Sequence, residues 1–159
     1  MEKTPIAVIG AGLIGSAWAF GFARAGHAVT LWDQDAAAAQ AALARVTEIA
    51  TDMQAAGLLD GQTPAQVAGR VTLTPDLKSC VKNALHVQEN VSENVDVKRE
   101  IFAALDAAAL PDAILASSTS ALLPSRFTET LKGRARCLVA HPINPPSLIP
   151  AVEIVPAPW

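Results

Sequence analysis

The chain has 159 residues, of which 51% are hydrophobic and 17% charged, and its formal net charge is -3. This length is enough for one domain that buries roughly 70% of the surface its unfolded form would expose. The charge balance lacks the basic excess typical of nucleic-acid binding. No secretory signal opens the chain and no apolar run approaches the roughly 18 residues of a membrane span, so we expect a cytoplasmic protein without nucleic-acid or membrane partners.

Short β-branched runs alternate with longer segments of helical periodicity along the chain. This alternation is typical of βαβ units and of a parallel sheet. The predicted elements, in chain order, are strand 6–9, helix 12–25, strand 28–32, a helix from Asp35 to Gly57, a short helix opened by Thr63 and Pro64, and strands 71–73, 85–88, 113–116, 137–140 and 152–155. They predict one α/β domain, a Rossmann-type, doubly wound and mostly parallel sheet with helices on both faces.

Gly10, Gly12 and Gly15 form a G-x-G-x-x-G motif directly between the first predicted strand and the first predicted helix. In dinucleotide-binding folds the first glycine permits a tight turn and the second lets a pyrophosphate approach the backbone. The third glycine lets the helix pack closely on the strand. We expect the cofactor to contact these glycines together with Leu13 and Ile14, at the positive end of the helix dipole.

Asp33 ends the second predicted strand, at about the 20-residue distance from the motif where a carboxylate binds the ribose hydroxyls. The same carboxylate repels the 2'-phosphate of NADP, so the sequence predicts NAD as the cofactor. An alternative is that the glycines only form a turn and that Asp33 is a solvated strand end.

Two polar segments follow predicted strands at the edge where an open parallel sheet binds its ligands. Glu89, Glu93 and Lys98 cluster after one strand, and a hydroxyl-rich loop at 117–120 follows the next. Both segments have structural alternatives. Glu93, Lys98 and Glu100 could form an exposed helix face, and loop hydroxyls often serve turns and helix caps.

His141 ends another predicted strand at the same edge of the sheet. Oxidation of a secondary alcohol requires a hydride acceptor and a base, and imidazole titrates near neutral pH. Glu153, in the apolar segment that follows, could orient the imidazole and stabilise its charged form. The alternative is a histidine held in a structural hydrogen bond.

Cys80 and Cys137 lack metal-site spacing, so we expect no metal.

Four segments in this order make the whole chain resemble the 3-hydroxyacyl-CoA dehydrogenase family, and in particular its lambda-crystallin and L-gulonate 3-dehydrogenase branch: GAGLIGSAWA, VQENVSENVDVKREIFAALD, ASSTSALLPS and HPINPPSLIPAVEIVPAPW. The resemblance implies an NAD-dependent enzyme of fatty acid metabolism that oxidises the 3-hydroxyl of a 3-hydroxyacyl-CoA or a small 3-hydroxy acid. It also implies that Glu93 and Lys98 contact the nicotinamide half of NAD.

By the same resemblance, Ser120 binds the reacting oxygen, and His141 and Glu153 form the catalytic pair. Asn144 helps to orient substrate and cofactor. Two departures favour the crystallin-like branch over an acyl-CoA substrate: Ser118 stands where Asn is common, and HPINPP stands where HFFNPV is common.

Members of this family carry a second, helical domain that closes the substrate cleft and makes most of the dimer contact. The resemblance therefore identifies residues 1–159 as the NAD-binding domain of a homodimeric full-length protein. This domain is expected to be inactive or impaired alone.

Between Asp35 and Gly69 the only basic residue is Arg45, which favours a substrate smaller than CoA because phosphate binding relies on Lys and Arg. The alternative class is an NAD-binding sensor or a crystallin-like structural module without turnover.

Overall fold

Strands and helices alternate along the computed structural model, which describes residues 3–159. The elements are β1 (Ile6–Ile9), α1 (Leu13–Arg24), β2 (Val29–Trp32), α2 (Ala36–Ala55), α3 (Pro64–Ala68), β3 (Val71–Leu73), α4 (Leu77–Val81), β4 (His86–Glu89), α5 (Val95–Ala108), β5 (Ile114–Ser117), α6 (Ser125–Thr128), a 3₁₀ turn (Arg134–Arg136), β6 (Cys137–Pro142) and β7 (Val152–Pro156). Within these residues no helix has both the length and the apolar character needed to cross a bilayer.

The seven strands form one sheet in the order β3-β2-β1-β4-β5-β6-β7. Each neighbouring pair is parallel except β6 and β7, which are antiparallel. The chain order reverses between β1 and β4, and in open α/β sheets ligands bind beyond the carboxyl ends of the strands at such a switch point. The predicted Rossmann-type fold is confirmed.

Burial of β1 shows why the strand is apolar at every position. Ile6 and Val8 belong to a core on one face of the sheet, packed by α1, α2 and α3. Ala7 and Ile9 belong to a second core on the opposite face, packed by α4, α5 and α6. Side chains alternate between the faces of a strand, so a strand covered on both sides is apolar throughout.

The helix boundaries follow from capping residues. The Asp35 side chain accepts a hydrogen bond from Ala37 N at 2.8 Å and begins α2, as predicted. Thr63 begins α3 through a capping box with Gln66. Three helices were not among the predicted elements. With five and four residues, α4 and α6 are too short to display helical periodicity, and α5 was considered only as a possible exposed face that carries Lys98 and Glu100.

Candidate active site

The three glycines of the motif have different surroundings in the loop between β1 and α1. Gly10 has a φ of +89°, and a Cβ atom there would lie 2.8 Å from the backbone carbonyl of Asn90. A Cβ on Gly15 would overlap the carbonyl oxygen of Gly10. A Cβ on Gly12 would meet no atom within 4 Å. Gly10 and Gly15 are therefore required by packing, whereas Gly12 leaves open space over the loop.

Backbone N–H groups at this open position are free to bind an anion. The N–H groups of Gly12 and Leu13 have no hydrogen-bond acceptor among residues 3–159. They lie at the N-terminus of the 12-residue helix α1, where the helix dipole favours negative charge. The loop therefore fits the pyrophosphate of a dinucleotide.

Asp33 supports the same loop from the end of β2. Its Oδ2 accepts a hydrogen bond from Ala11 N at 2.6 Å, and its Oδ1 accepts one from Asp35 N at 2.9 Å. Asp33 also lines a cavity of about 510 Å³ at the carboxyl ends of the strands, together with Gly10, Gly12, Trp32, Val97 and Ile101. This position suits a carboxylate that binds the ribose of an adenosine group.

A smaller cavity of about 190 Å³ continues from the first one, because Asn90 and Val91 line both. Four predicted site residues meet at its wall: Ile14, Glu93, Lys98 and Ser120. Together the two cavities form one groove along the switch point, and we name it the cofactor groove. Its glycine-loop end suits the adenosine half of NAD, and the nicotinamide half is predicted at the end lined by Glu93 and Ser120.

Glu93 holds the hydroxyl-rich loop after β5. Its Oε1 accepts hydrogen bonds from Thr119 Oγ1 and from the backbone N–H groups of Ser120 and Ala121, the latter two at 3.2 Å. Partial burial alone would raise the pKa of Glu93, but these hydrogen bonds and the charge of Lys98 bring it below the ordinary value. Glu93 is therefore an ionised clamp that positions Ser120.

Lys98 is buried and forms an ion pair with Glu89, so the alternative of an exposed helix face is wrong for this residue. Its Nζ lies 2.9 and 3.0 Å from the two carboxylate oxygens of Glu89 and 3.8 Å from Glu93. Glu89 also accepts hydrogen bonds from Ser117 Oγ at 2.5 Å and Val91 N at 2.6 Å. Burial raises the pKa of Glu89, and Lys98 opposes that rise.

His141, Ser120 and Glu153 lie next to the groove. His141 Nε2 is 3.1 Å from Ser120 Oγ, and His141 Nδ1 is 3.7 Å from Glu153 Oε2. The second distance is too long for a hydrogen bond, and the buried Nδ1 has no other partner among residues 3–159. The Glu153 side chain is 66% exposed, although the residues around it in the sequence are apolar.

Two predicted site residues lie apart from these contacts. Leu13 is 77% exposed at the start of α1 and lines neither cavity of the groove. Asn144 is exposed on the loop between β6 and β7, and its side chain makes no hydrogen bond within the described part of the chain. The roles assigned to them by resemblance stay predictions.

A hydrogen-bond network beneath the groove was not predicted from the sequence. Ser118 Oγ accepts hydrogen bonds from Trp18 Nε1 at 2.9 Å and Gln88 Nε2 at 2.7 Å, and it donates one to Asn90 Oδ1 at 2.7 Å. Gln88 also donates to the carbonyl oxygen of Ala140, next to His141. The signal was a buried strand, β4, that ends in polar residues instead of the apolar residues typical of a covered strand.

The sheet order and the glycine loop define a Rossmann-type dinucleotide-binding domain. The family described as "3-hydroxyacyl-CoA dehydrogenase, NAD binding domain" matches residues 5–159. The chain belongs to this family, as the resemblance predicted, and its cofactor is NAD.

Relatives and solved structures agree with this assignment. The chain is 43% identical to the lambda-crystallin homolog of Bos taurus over 154 residues, which cover 96% of this chain and 48% of that protein. It is 40% identical to the L-carnitine dehydrogenase of Pseudomonas putida, over 97% of this chain and 47% of that protein. The structure of M. tuberculosis FadB2 superimposes with a TM-score of 0.89 at 34% identity, over 96% of this chain and 54% of that chain. The chain thus spans about half the length of these relatives.

Proposed function

We propose that this protein is an NAD-dependent dehydrogenase that oxidises the 3-hydroxyl of a 3-hydroxy acid to the 3-keto compound. One observation carries the proposal. Ser120 Oγ and His141 Nε2 lie 3.1 Å apart beside the nicotinamide end of the cofactor groove, with Glu153 opposite the other ring nitrogen. This arrangement pairs a hydroxyl donor with a base at the place where a substrate alcohol would meet the cofactor.

The reaction removes a proton from the 3-hydroxyl oxygen and a hydride from C3. Bound NAD supplies the hydride acceptor. His141 Nε2 accepts the proton of the 3-hydroxyl while the hydride leaves C3, so that C3 and its oxygen become a carbonyl group. Ser120 positions the reacting oxygen, and the Glu93 clamp positions Ser120. Glu153 stabilises the imidazolium that forms, at the Nδ1 side of the ring.

We favour a small 3-hydroxy acid over a CoA thioester. Arg45 is the one basic residue between Asp35 and Gly69, and its guanidinium is bonded into the glycine loop, at Ala11 O and Ser16 Oγ. This stretch therefore offers no free cation for CoA phosphates. Relatives named L-carnitine dehydrogenase are 40% identical to the chain, which supports a free hydroxy acid as the substrate class.

The test is NADH production with L-carnitine, L-gulonate, 3-hydroxybutyrate and 3-hydroxybutyryl-CoA, measured with the full-length protein and a His141→Gln control. We expect turnover with a free hydroxy acid and a kcat roughly 10² to 10⁴ lower in the control. Turnover with the CoA thioester alone would reject the substrate class and keep the reaction. NAD binding without turnover of any 3-hydroxy compound would favour the alternative, an NAD-binding or crystallin-like protein.

The wider setting of the activity is also a proposal. The relatives are about twice as long as this chain, and the family resemblance implies a helical domain that closes the cleft over the groove. We therefore expect residues 1–159 alone to bind NAD with little or no turnover, since an open cleft orients the substrate poorly. Cytoplasmic localisation, a homodimeric full-length protein and a role in fatty acid metabolism belong to the same proposal.

A further inference from the structure

Arg45 makes two hydrogen bonds that reach from α2 into the glycine loop. Its Nη2 donates to the carbonyl oxygen of Ala11 at 2.5 Å, and its Nε donates to Ser16 Oγ at 3.0 Å. The guanidinium is half-buried, and both acceptors belong to the segment that begins α1. Arg45 therefore holds the loop from the side on which α2 packs against α1.

The bond to Ala11 fixes the direction of one backbone N–H group. The peptide bond between Ala11 and Gly12 is trans, so its C=O and N–H point in opposite directions within one plane. Because the carbonyl oxygen faces Arg45, the Gly12 N–H faces away from Arg45. That N–H has no acceptor within residues 3–159, and Gly12 lines the cofactor groove.

The next peptide plane is held by the first hydrogen bond of α1, and Arg45 supports it indirectly through the Ser16 hydroxyl. The carbonyl oxygen of Gly12 accepts hydrogen bonds from Ser16 N at 2.9 Å and Ser16 Oγ at 2.8 Å. The same Ser16 hydroxyl oxygen accepts from Arg45 Nε, so its proton is directed to Gly12. The Leu13 N–H then points away from Ser16 and is also without an acceptor in the described chain.

We propose that Arg45 is a positioning residue of the cofactor site, which holds the Ala11–Gly12 peptide plane directly and supports the Gly12–Leu13 plane through Ser16, so that the N–H groups of Gly12 and Leu13 are oriented toward the pyrophosphate of NAD. It acts through the backbone and does not need to touch the cofactor. The rigid fork of the guanidinium is what allows one side chain to hold Ala11 and Ser16 together. The role requires this fork as well as the positive charge.

The experiment measures the affinities of NADH, ADP-ribose and adenosine for the full-length protein by calorimetry. The variants are Arg45→Met, which removes both donors, and Arg45→Lys, which keeps the charge without the fork. Arg24→Met is the matched control, since Arg24 pairs with the exposed Asp60 and makes no contact with the loop. Thermal unfolding of each variant gives a separate measure of the fold.

We expect Arg45→Met to weaken NADH and ADP-ribose by roughly 10- to 100-fold, as loss of a hydrogen bond from a charged group does, and to leave adenosine unchanged. Arg45→Lys should stay at least about fivefold weaker than wild type for the same two ligands, because one ammonium cannot hold both acceptors as a fork does. Arg24→Met should bind all three ligands as wild type does. Wild-type affinity in Arg45→Met, full recovery in Arg45→Lys, or an equal loss for adenosine would each overturn the proposal.

A second arm remains informative if Arg45→Met folds poorly. Ser16→Ala removes the hydroxyl that joins Arg45 to Gly12, so it should weaken ADP-ribose and spare adenosine. Its effect should add little to that of Arg45→Lys, because both substitutions break the same bridge. Fully additive losses in the double variant would contradict a shared role.

Discussion

His141 and Glu153 lie directly opposite each other on β6 and β7, and 3.7 Å separates Nδ1 of the histidine from Oε2 of the glutamate. The backbone register sets this pairing, so the two side chains face each other before any ligand binds. The gap exceeds a hydrogen bond by about 0.5 to 1 Å. Catalytic hydrogen bonds are often long without substrate and shorten when it binds.

A His141→Gln variant should bind NAD with wild-type affinity and lose roughly 10² to 10⁴ in kcat, because a general base supplies about that factor. His141 lines neither cavity of the cofactor groove, which is why binding should persist. Steady-state kinetics and a cofactor titration check both parts. Near-normal kcat would mean that another group takes the proton.

Alanine at Gly12 and at Gly15 should have opposite effects. Gly12→Ala places a methyl group in open space, so stability should change by less than about 1 kcal/mol while NAD affinity falls roughly tenfold or more. Gly15→Ala should lower stability by about 1 to 3 kcal/mol, since its overlap with the Gly10 carbonyl outweighs the gain of about 1 kcal/mol in helix propensity. Urea unfolding and calorimetry separate the two results. A stable Gly15→Ala variant would contradict the packing observed here.

The protein should bind NAD at least about tenfold more tightly than NADP, because Asp33 offers charge-assisted hydrogen bonds to a ribose diol and repels a 2'-phosphate. An Asp33→Ala variant should weaken NAD and reduce this preference. Calorimetric titration of both cofactors is the measurement. Equal affinities in the wild type would remove Asp33 from the cofactor site.

Removing one partner of the buried ion pair of Glu89 and Lys98 should lower the free energy of unfolding more than removing both. Glu89→Gln leaves the Lys98 ammonium buried without its carboxylate, which typically costs about 3 to 5 kcal/mol. The double variant Glu89→Gln, Lys98→Met should be less destabilised than Glu89→Gln alone. The exposed pair of Asp96 and Arg99 is the control, and Arg99→Ala should change stability by less than about 1 kcal/mol. A double variant at least as destabilised as Glu89→Gln alone would contradict the pairing of Glu89 with Lys98.

Stability should depend on Asp106 at neutral pH and not in acid. Burial alone would raise the pKa of Asp106, but hydrogen bonds from Arg136 and Gly133 lower it below the ordinary value. A lowered carboxyl pKa gives stability that is present above the unfolded value of about 3.9 and is lost as the pH falls through the folded pKa. Asp106→Asn should therefore cost about 1 to 3 kcal/mol at pH 7 and progressively less as the pH falls below about 3.9, measured by urea unfolding. A cost independent of pH would exclude this origin.

Most of the sheet could be predicted because interior strands such as β1 are covered on both faces and are therefore apolar throughout. The direction of β7 was not predicted, since an apolar run such as 152–155 fits either orientation. Its antiparallel course follows from a connection, residues 143–151, that contains no crossover helix.

Parts of the candidate site depend on contacts between residues far apart in the sequence. Lys98 is a charged residue in an amphipathic helix, and the carboxylate of Glu89, with that of Glu93 at 3.8 Å, makes its burial tolerable. Glu93 reaches the loop at 119–121 across 26 or more positions. Periodicity cannot reveal such pairs, although the clustering of polar residues at strand ends indicates where they meet.

Because β7 lies at the edge of the sheet, Glu153 is held by fewer neighbouring strands than His141 on β6. Interior strand β6 is hydrogen-bonded to β5 and β7, whereas β7 has a single neighbour in the described sheet. Edge strands fray at lower free energy than interior ones, and native-state amide exchange reports that opening. Amides of β7 should therefore exchange faster than those of β6. Each fraying event separates the glutamate from the histidine while the sheet and its glycine loop stay folded.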